Sequence, residues 1–345
     1  MPVFKFSHME KLTINEPFLL QSGKTLPSLE LAYSTFGTLN EDKSNVIWVC
    51  HALSGNSDVS SWWAGIFGSS KTLDPDRYFI VCANALGSCY GTTGPLSQHL
   101  NAELLGRNFP NITIDDIVKG HQLLAKHLKI ESVFLLVGAS LGGQQALQWA
   151  VDHPHFAQNL VLIASNAVHS PWGIAFNEAQ RLALLADESF RKNDLYGGKN
   201  GLKAARAIAL LSYRSYRGFG ASQLEEQMTK IDAFRAASYL QYQGDKFVNR
   251  FNAYAYWTLS KAMDAHNVGR KYASVTTALS RVQSRTLVIG VDSDLLFPIS
   301  EQTYLAQHLP DCELEIISSL YGHDGFLTET EKVDTLIKTF IKQQK

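Results

Sequence analysis

The chain has 345 residues, enough for a full α/β core with an insertion, and its 45% hydrophobic and 18% charged content is that of an ordinary globular protein. Its 31 basic and 32 acidic side chains leave a formal net charge of −1, which gives no general pull toward nucleic acid or an anionic membrane. Met1 to Glu10 has no basic flank leading into an apolar core, and no segment approaches the ~18 apolar residues of a membrane span, so a soluble, cytoplasmic protein is expected. Cys50, Cys82, Cys89 and Cys312 show no C-x-x-C spacing, and two of them end apolar runs, as reduced buried cysteines do; neither a disulfide framework nor a metal site is suggested.

Leu29 to Thr35 alternates as an early, partly exposed strand does. Val46 to Cys50 is continuously apolar and predicts a strand covered on both faces. It runs into His51-Ala52-Leu53-Ser54-Gly55-Asn56, a loop in which the backbone N–H of Leu53 is a candidate oxyanion donor. Tyr78 to Cys82 predicts the next strand, and the Gly/Ser/Thr-rich loop Asn84 to Pro95 follows. That loop lacks the G-x-x-x-x-G-K-[ST] pattern of a phosphate cradle and is expected instead to border the site. Ile114 to Leu128 carries apolar residues at helical spacing, with Thr113 as cap and Asp115 and Asp116 in its first turn.

Val133 to Val137 then runs directly into Gly138-Ala139-Ser140-Leu141-Gly142, with a helical pattern from Gln144 to about His153. A Gly-x-Ser-x-Gly match is short enough to occur by chance. Strand, sharp turn and helix together point to a serine held at the strand's carboxyl end, with Leu141 N–H as the other oxyanion donor. Leu160 to Ala164 is another buried strand. Over 171–279 the strand runs vanish, and stretches such as Gly201–Tyr213 and Ser222–Leu240 predict helices inserted between sheet strands; its many arginines read mostly as solvated helix faces. The sheet resumes at Thr286 to Val291, followed by Asp292 and Asp294, and Glu313 to Ile317 is the last strand. His323 lies just beyond it, before a closing helix that reaches Lys342.

Ser140, an aspartate at 292 or 294 and His323 thus follow three separate strands in the order serine, acid, histidine of an α/β-hydrolase fold. Spacing alone leaves the two aspartates open. The expected architecture is α/β, a mostly parallel central sheet formed by 1–170 and 280–345, with 171–279 as a helical lid. A serine hydroxyl is a poor nucleophile near neutrality, so the histidine must take its proton while the carboxylate orients the ring.

His51-Ala52-Leu53-Ser54-Gly55, the Asn84 to Pro95 loop, Gly138 to Leu147, Ala175-Phe176-Asn177-Glu178, Tyr239 to Phe247, Ser293 to Pro298 and Gly322-His323-Asp324 together resemble the homoserine O-acetyltransferase family across nearly the whole chain. Ala139 and Ser54 depart from the family's usual glycine and threonine, and Gln98 to Asn108 replaces its Pro/Gly-rich rim. The resemblance implies acetyl transfer from acetyl-CoA to the hydroxyl of L-homoserine in methionine biosynthesis, with no further cofactor, and a homodimer. It places the acid at Asp294 and suggests Arg206, with Tyr213 nearby, for the substrate carboxylate and Asp324 for its ammonium. Arg181 and Arg214 are rivals for the carboxylate. Succinyl-CoA as donor, serine as acceptor, a serine esterase and a non-catalytic binding module are the alternatives.

Overall fold

A computed structural model describes residues 9–343, so most of the Met1 to Glu10 segment read above for targeting lies outside the described residues. Eight strands form one sheet: β1 (Met9–Ile14), β2 (Leu29–Phe36), β3 (Val46–Cys50), β4 (Phe79–Ala83), β5 (Val133–Ala139), β6 (Ala157–Ile163), β7 (Arg285–Val291) and β8 (Cys312–Ile317). Their spatial order is β1-β2-β4-β3-β5-β6-β7-β8. The β1–β2 and β2–β4 pairs are antiparallel and every other pair is parallel.

Successive residues of a strand face opposite sides, and here both sides are filled. Trp48 and Leu136 join one core with Leu147 and Trp149; Ile47, Val49, Leu135 and Val137 join a second core with Ile337 and Phe340. Hence the central strands are apolar throughout. The helices that cover them are α1 (Ile114–His127), α2 (Leu141–Asp152), α8 (Ile299–His308) and α9 (Thr330–Lys342). Thr113 and Asp116 form a reciprocal capping box at the start of α1, which explains why that boundary was legible.

Between β6 and β7 the chain is helical: α3 (Pro171–Ala186), α4 (Lys199–Tyr213), α5 (Tyr216–Gln223), α6 (Arg235–Val248) and α7 (Ala253–Asp264), with shorter turns between them. The single helix expected over Ser222–Leu240 is corrected to two. The chain leaves helix after Gln223 and re-enters at Arg235, because Glu225 accepts from Lys230 Nζ at 2.8 Å and from the Arg235 amide at 3.1 Å while Ala233 takes a φ of +53°. These side-chain bonds satisfy backbone and charge that helix would have used. Two smaller departures concern the sheet. β2 is mostly buried rather than partly exposed, since β1, whose charged alternation gave no strand signal, covers that edge. Helix α2 begins at Leu141, ahead of the expected Gln144.

Among the described residues no helix is long and apolar enough to cross a membrane.

Candidate active site

The carboxyl ends of β3, β5, β7 and β8 deliver the candidate groups to one edge of the sheet. Ser140 sits between β5 and α2 with φ 57° and ψ −125°, a conformation that L residues rarely adopt. Bonds on both sides hold it there: the Ser140 amide donates to Ile163 O at 2.9 Å, and Ser165 Oγ donates to Ser140 O at 3.0 Å. Gly142 lets this bend press against the end of β3, because a Cβ there would lie 2.0 Å from Cys50 O. The elbow and the His51–Ser54 loop are therefore in backbone contact.

His323 Nε2 lies 2.9 Å from Ser140 Oγ, and His323 Nδ1 lies 2.7 Å from Asp294 Oδ2. A carboxylate only accepts, so the imidazole proton sits on Nδ1, and Nε2 presents its lone pair to the serine O–H. The other Asp294 oxygen accepts from the amides of Leu296 at 2.8 Å and Phe297 at 2.9 Å, which fixes the carboxylate plane. All three side chains are buried. Burial would push the His323 imidazole below its ordinary range, but the charge and hydrogen bond of Asp294, with the Asp324 charge, outweigh it and raise its pKa.

The two aspartates that spacing left open have different partners. Asp292 accepts from the Ser319 amide at 3.0 Å, and Ser293 Oγ donates to Ser319 O and accepts from the Gly322 amide, so this pair braces the loop that carries His323. Gly322, at φ 63°, allows that loop to lie against the end of α4, where a Cβ would meet Tyr213 O at 2.8 Å.

Leu141 N–H is the first amide of α2 and has no acceptor within the helix; no protein acceptor takes Leu53 N–H among the described residues. The Leu53 loop is tied down from several directions. Gln145 Nε2 donates to His51 O at 3.2 Å, and Arg250 donates to Ser54 O at 2.7 Å and to Tyr90 Oη at 3.2 Å. Sequence inspection missed Arg250; it lies 196 residues from Ser54, and nothing in its local pattern marks it. Two hydroxyls of the Asn84–Pro95 loop are committed to packing: Thr92 Oγ1 accepts from Ala32 N–H and Thr93 Oγ1 from Glu30 N–H.

Tyr213 places its ring 5.7 Å from the His323 ring, and the Arg206 guanidinium lies over both Tyr213, at 5.4 Å, and Phe247, at 4.9 Å. Burial raises the Tyr213 pKa, with Asp324 adding to the effect and Arg206 opposing it, so the phenol stays neutral. Among the described residues no carboxylate lies within ion-pair distance of Arg206, and its charge is held by aromatic faces alone. The rivals are occupied. Arg181 pairs with Asp264 at 2.5 Å and Glu178 at 2.7 Å, and Arg214 pairs with Asp324 at 3.3 Å. Among the described residues no group of three His, Cys, Asp or Glu side chains is placed to hold a metal ion.

Comparison with known proteins identifies the family and the fold. Residues 45–330 match the alpha/beta hydrolase fold family. A homoserine O-acetyltransferase from Cyclobacterium marinum is 47% identical over 326 residues, covering 94% of this chain and 93% of that protein. Among solved structures, an acetylester hydrolase from Corynebacterium glutamicum superposes with a TM-score of 0.87 at 25% identity, covering 97% of this chain and 96% of that one. A homoserine O-acetyltransferase from Bacillus anthracis superposes with a TM-score of 0.88 at 22% identity over 97% and 98% of the two chains, a likeness of fold.

Proposed function

Since the chain belongs to the homoserine O-acetyltransferase family of the α/β-hydrolase fold, we propose that it carries an acetyl group from acetyl-CoA to the hydroxyl of L-homoserine, a step toward methionine. The observation that carries this reading is the unbroken hydrogen-bonded relay Ser140–His323–Asp294, with an arginine that stacks on Tyr213 and has no acidic partner among the described residues.

The reaction divides into two acyl transfers. Ser140 Oγ attacks the thioester carbonyl as His323 Nε2 takes its proton, and negative charge grows on the carbonyl oxygen between the Leu53 and Leu141 amides. Each such donor is worth about 3–4 kcal/mol of barrier. The carbon–sulfur bond then breaks, and His323 returns the proton to the leaving thiolate. In the second half the homoserine hydroxyl gives its proton to His323 and attacks the acetyl-serine; Ser140 leaves, regaining a proton. Asp294 keeps the ring oriented and balances its charge in both halves.

Arg206 offers a planar pair of donors that suits the amino acid's carboxylate, and Asp324, next to His323 in the chain, suits its ammonium. Tyr213 lies near both, its ring under Arg206 and beside His323. Holding the acceptor at both charged ends supplies the proximity that lets a dilute alcohol outcompete water. The helices of 171–279 act as the lid that limits water, an assignment supported by the packing of the α4 C-terminus on the His323 loop. Cytoplasmic location and a homodimer complete the reading; exposed Leu182, Leu211 and Met228 on or between the inserted helices support a second copy there.

One rival is favoured by a specific observation, the shared fold with an acetylester hydrolase, in which water would take the place of homoserine. Thiol release from acetyl-CoA or succinyl-CoA, measured with homoserine, serine or water and with the product identified by mass, separates these readings. Acetyl-CoA with homoserine is expected to be fastest and to give parallel double-reciprocal lines. Release at the same rate with water alone refutes the transferase, and intersecting lines without a trapped acetyl-Ser140 refute the covalent step.

A further inference from the structure

His51 is fully buried, carries a titratable ring and has no part in the proton relay. Its bonds nevertheless converge on the peptide unit that matters. Leu53 N–H and the Ala52 carbonyl are the two ends of one trans peptide and point in opposite directions, so whatever fixes Ala52 O also fixes the aim of Leu53 N–H. Two donors meet that oxygen: the Gly55 amide at 2.8 Å and His51 Nδ1 at 2.8 Å.

The tautomer is set from the other side of the ring. The Ala85 amide donates to His51 Nε2 at 2.9 Å, so Nε2 is the acceptor and Nδ1 must carry the proton. The ring thus bridges the loops that follow β3 and β4, taking a bond from one and giving a bond to the other. Burial drives its pKa down to about 4, with the Ala52 contact opposing the shift, so the neutral ring with one donor and one acceptor persists through the physiological range. A hydrogen bond accepted by a peptide carbonyl also strengthens the same peptide's N–H as a donor, by roughly 10–30% in condensed-phase estimates.

We propose that His51 is a positioning residue of the oxyanion hole, its Nδ1–H holding Ala52 O so that Leu53 N–H points at the oxygen of the tetrahedral intermediates. This rests on the assignment of Leu53 as an oxyanion donor. The ordinary alternative is a core histidine that only satisfies neighbouring backbone.

Two substitutions separate the ring's halves. Asparagine can place its Nδ2 near the position of Nδ1 and keep the bond to Ala52 O; glutamine can place its oxygen near Nε2 and keep only the bond from Ala85 N–H. H51Q is expected to lower kcat about tenfold to hundredfold with both KM values within about twofold, slowing acylation and deacylation alike, whereas H51N stays within about threefold of the parent. Both rates are referred to the folded fraction by circular dichroism. Should H51N fail to fold, the affinity of H51Q for a trifluoromethyl ketone analogue of the thioester, whose hemiketal oxygen occupies the hole, still decides; it is expected to fall in step with kcat.

Equal kcat values for H51N and H51Q, or unchanged analogue affinity in H51Q, overturn the positioning role. A structure of the unsubstituted enzyme's hemiketal adduct with its oxygen beyond hydrogen-bond reach of Leu53 N overturns the Leu53 assignment itself, which is a separate failure.

Discussion

Replacing Asp294 with asparagine changes almost no volume and inverts one hydrogen bond. The Leu296 and Phe297 amides donate to Asp294 Oδ1 at 2.8 and 2.9 Å, so in D294N they select the amide oxygen for that position. The NH2 group is then turned toward His323 Nδ1, now 2.7 Å away in the parent geometry. Two donors cannot share that contact, and the imidazole relieves it by moving its proton to Nε2. Nε2 then has no lone pair for the Ser140 proton 2.9 Å away. A wrong tautomer of this kind costs about 10³–10⁴ in kcat, or ~4–5.5 kcal/mol of barrier. Stopped-flow release of thiol from acetyl-CoA without homoserine isolates the acylation step. The pH profile supplies an independent sign. His323 must be neutral to act as base, and its pKa is raised, so parent acylation is lost as pH falls through that raised value. Without the Asp294 charge, burial lowers the pKa and only Asp324 opposes it, so the limb of D294N moves to lower pH. A loss below about tenfold, or a limb that stays or moves up, refutes the assignment of Asp294 and the tautomer argument with it.

R206K keeps the charge but loses the planar pair of donors; the homoserine KM is expected to rise about tenfold or more while thiol release in the first half-reaction is unchanged, and equal effects on both halves refute a carboxylate role. R214Q frees Asp324 from its 3.3 Å partner and is expected to lower the homoserine KM by up to about fivefold, the scale of a partly exposed ion pair; a higher KM shows that Arg214 instead holds Asp324 in place. G142A puts a methyl 2.0 Å from Cys50 O, so the melting temperature should fall by several degrees, on the scale of about 1–3 kcal/mol, with kcat falling more than KM; an unaffected protein refutes the tight contact of elbow and loop. T113A removes the α1 cap and should cost about 1 kcal/mol in chemical denaturation with kinetic constants unchanged, and no loss of stability refutes the capping box.

What could be read from sequence was whatever is specified locally. β3, β5 and β7 are apolar on both faces because the sheet is covered twice, and that double burial prints a continuous run into the chain. The serine bend and the histidine loop were marked by glycines and by chain order. Contacts that depend on distant partners were not legible. β1 is recognisable only by the β2 edge it pairs with, and the break after Gln223 only by the bonds to Glu225. Asp292 and Asp294 are equivalent in spacing and are distinguished by Ser319 and His323, which arrive from beyond β8. Likewise, Arg181, Arg206 and Arg214 look alike as letters. Asp264 and Asp324 occupy two of them, leaving Arg206 over its rings.

The bond from Arg250 to Ser54 O joins the segment between β6 and β7 to a loop made much earlier in the chain. Grafting that segment from another hydrolase to change acceptor preference would therefore import a different tether for the Leu53 loop, and, with Leu53 N–H in its proposed role, a chimera would bind its new alcohol well yet react slowly. Carrying arginine 250 and its Phe247 stacking partner across with the graft keeps recognition and turnover separable in such redesigns.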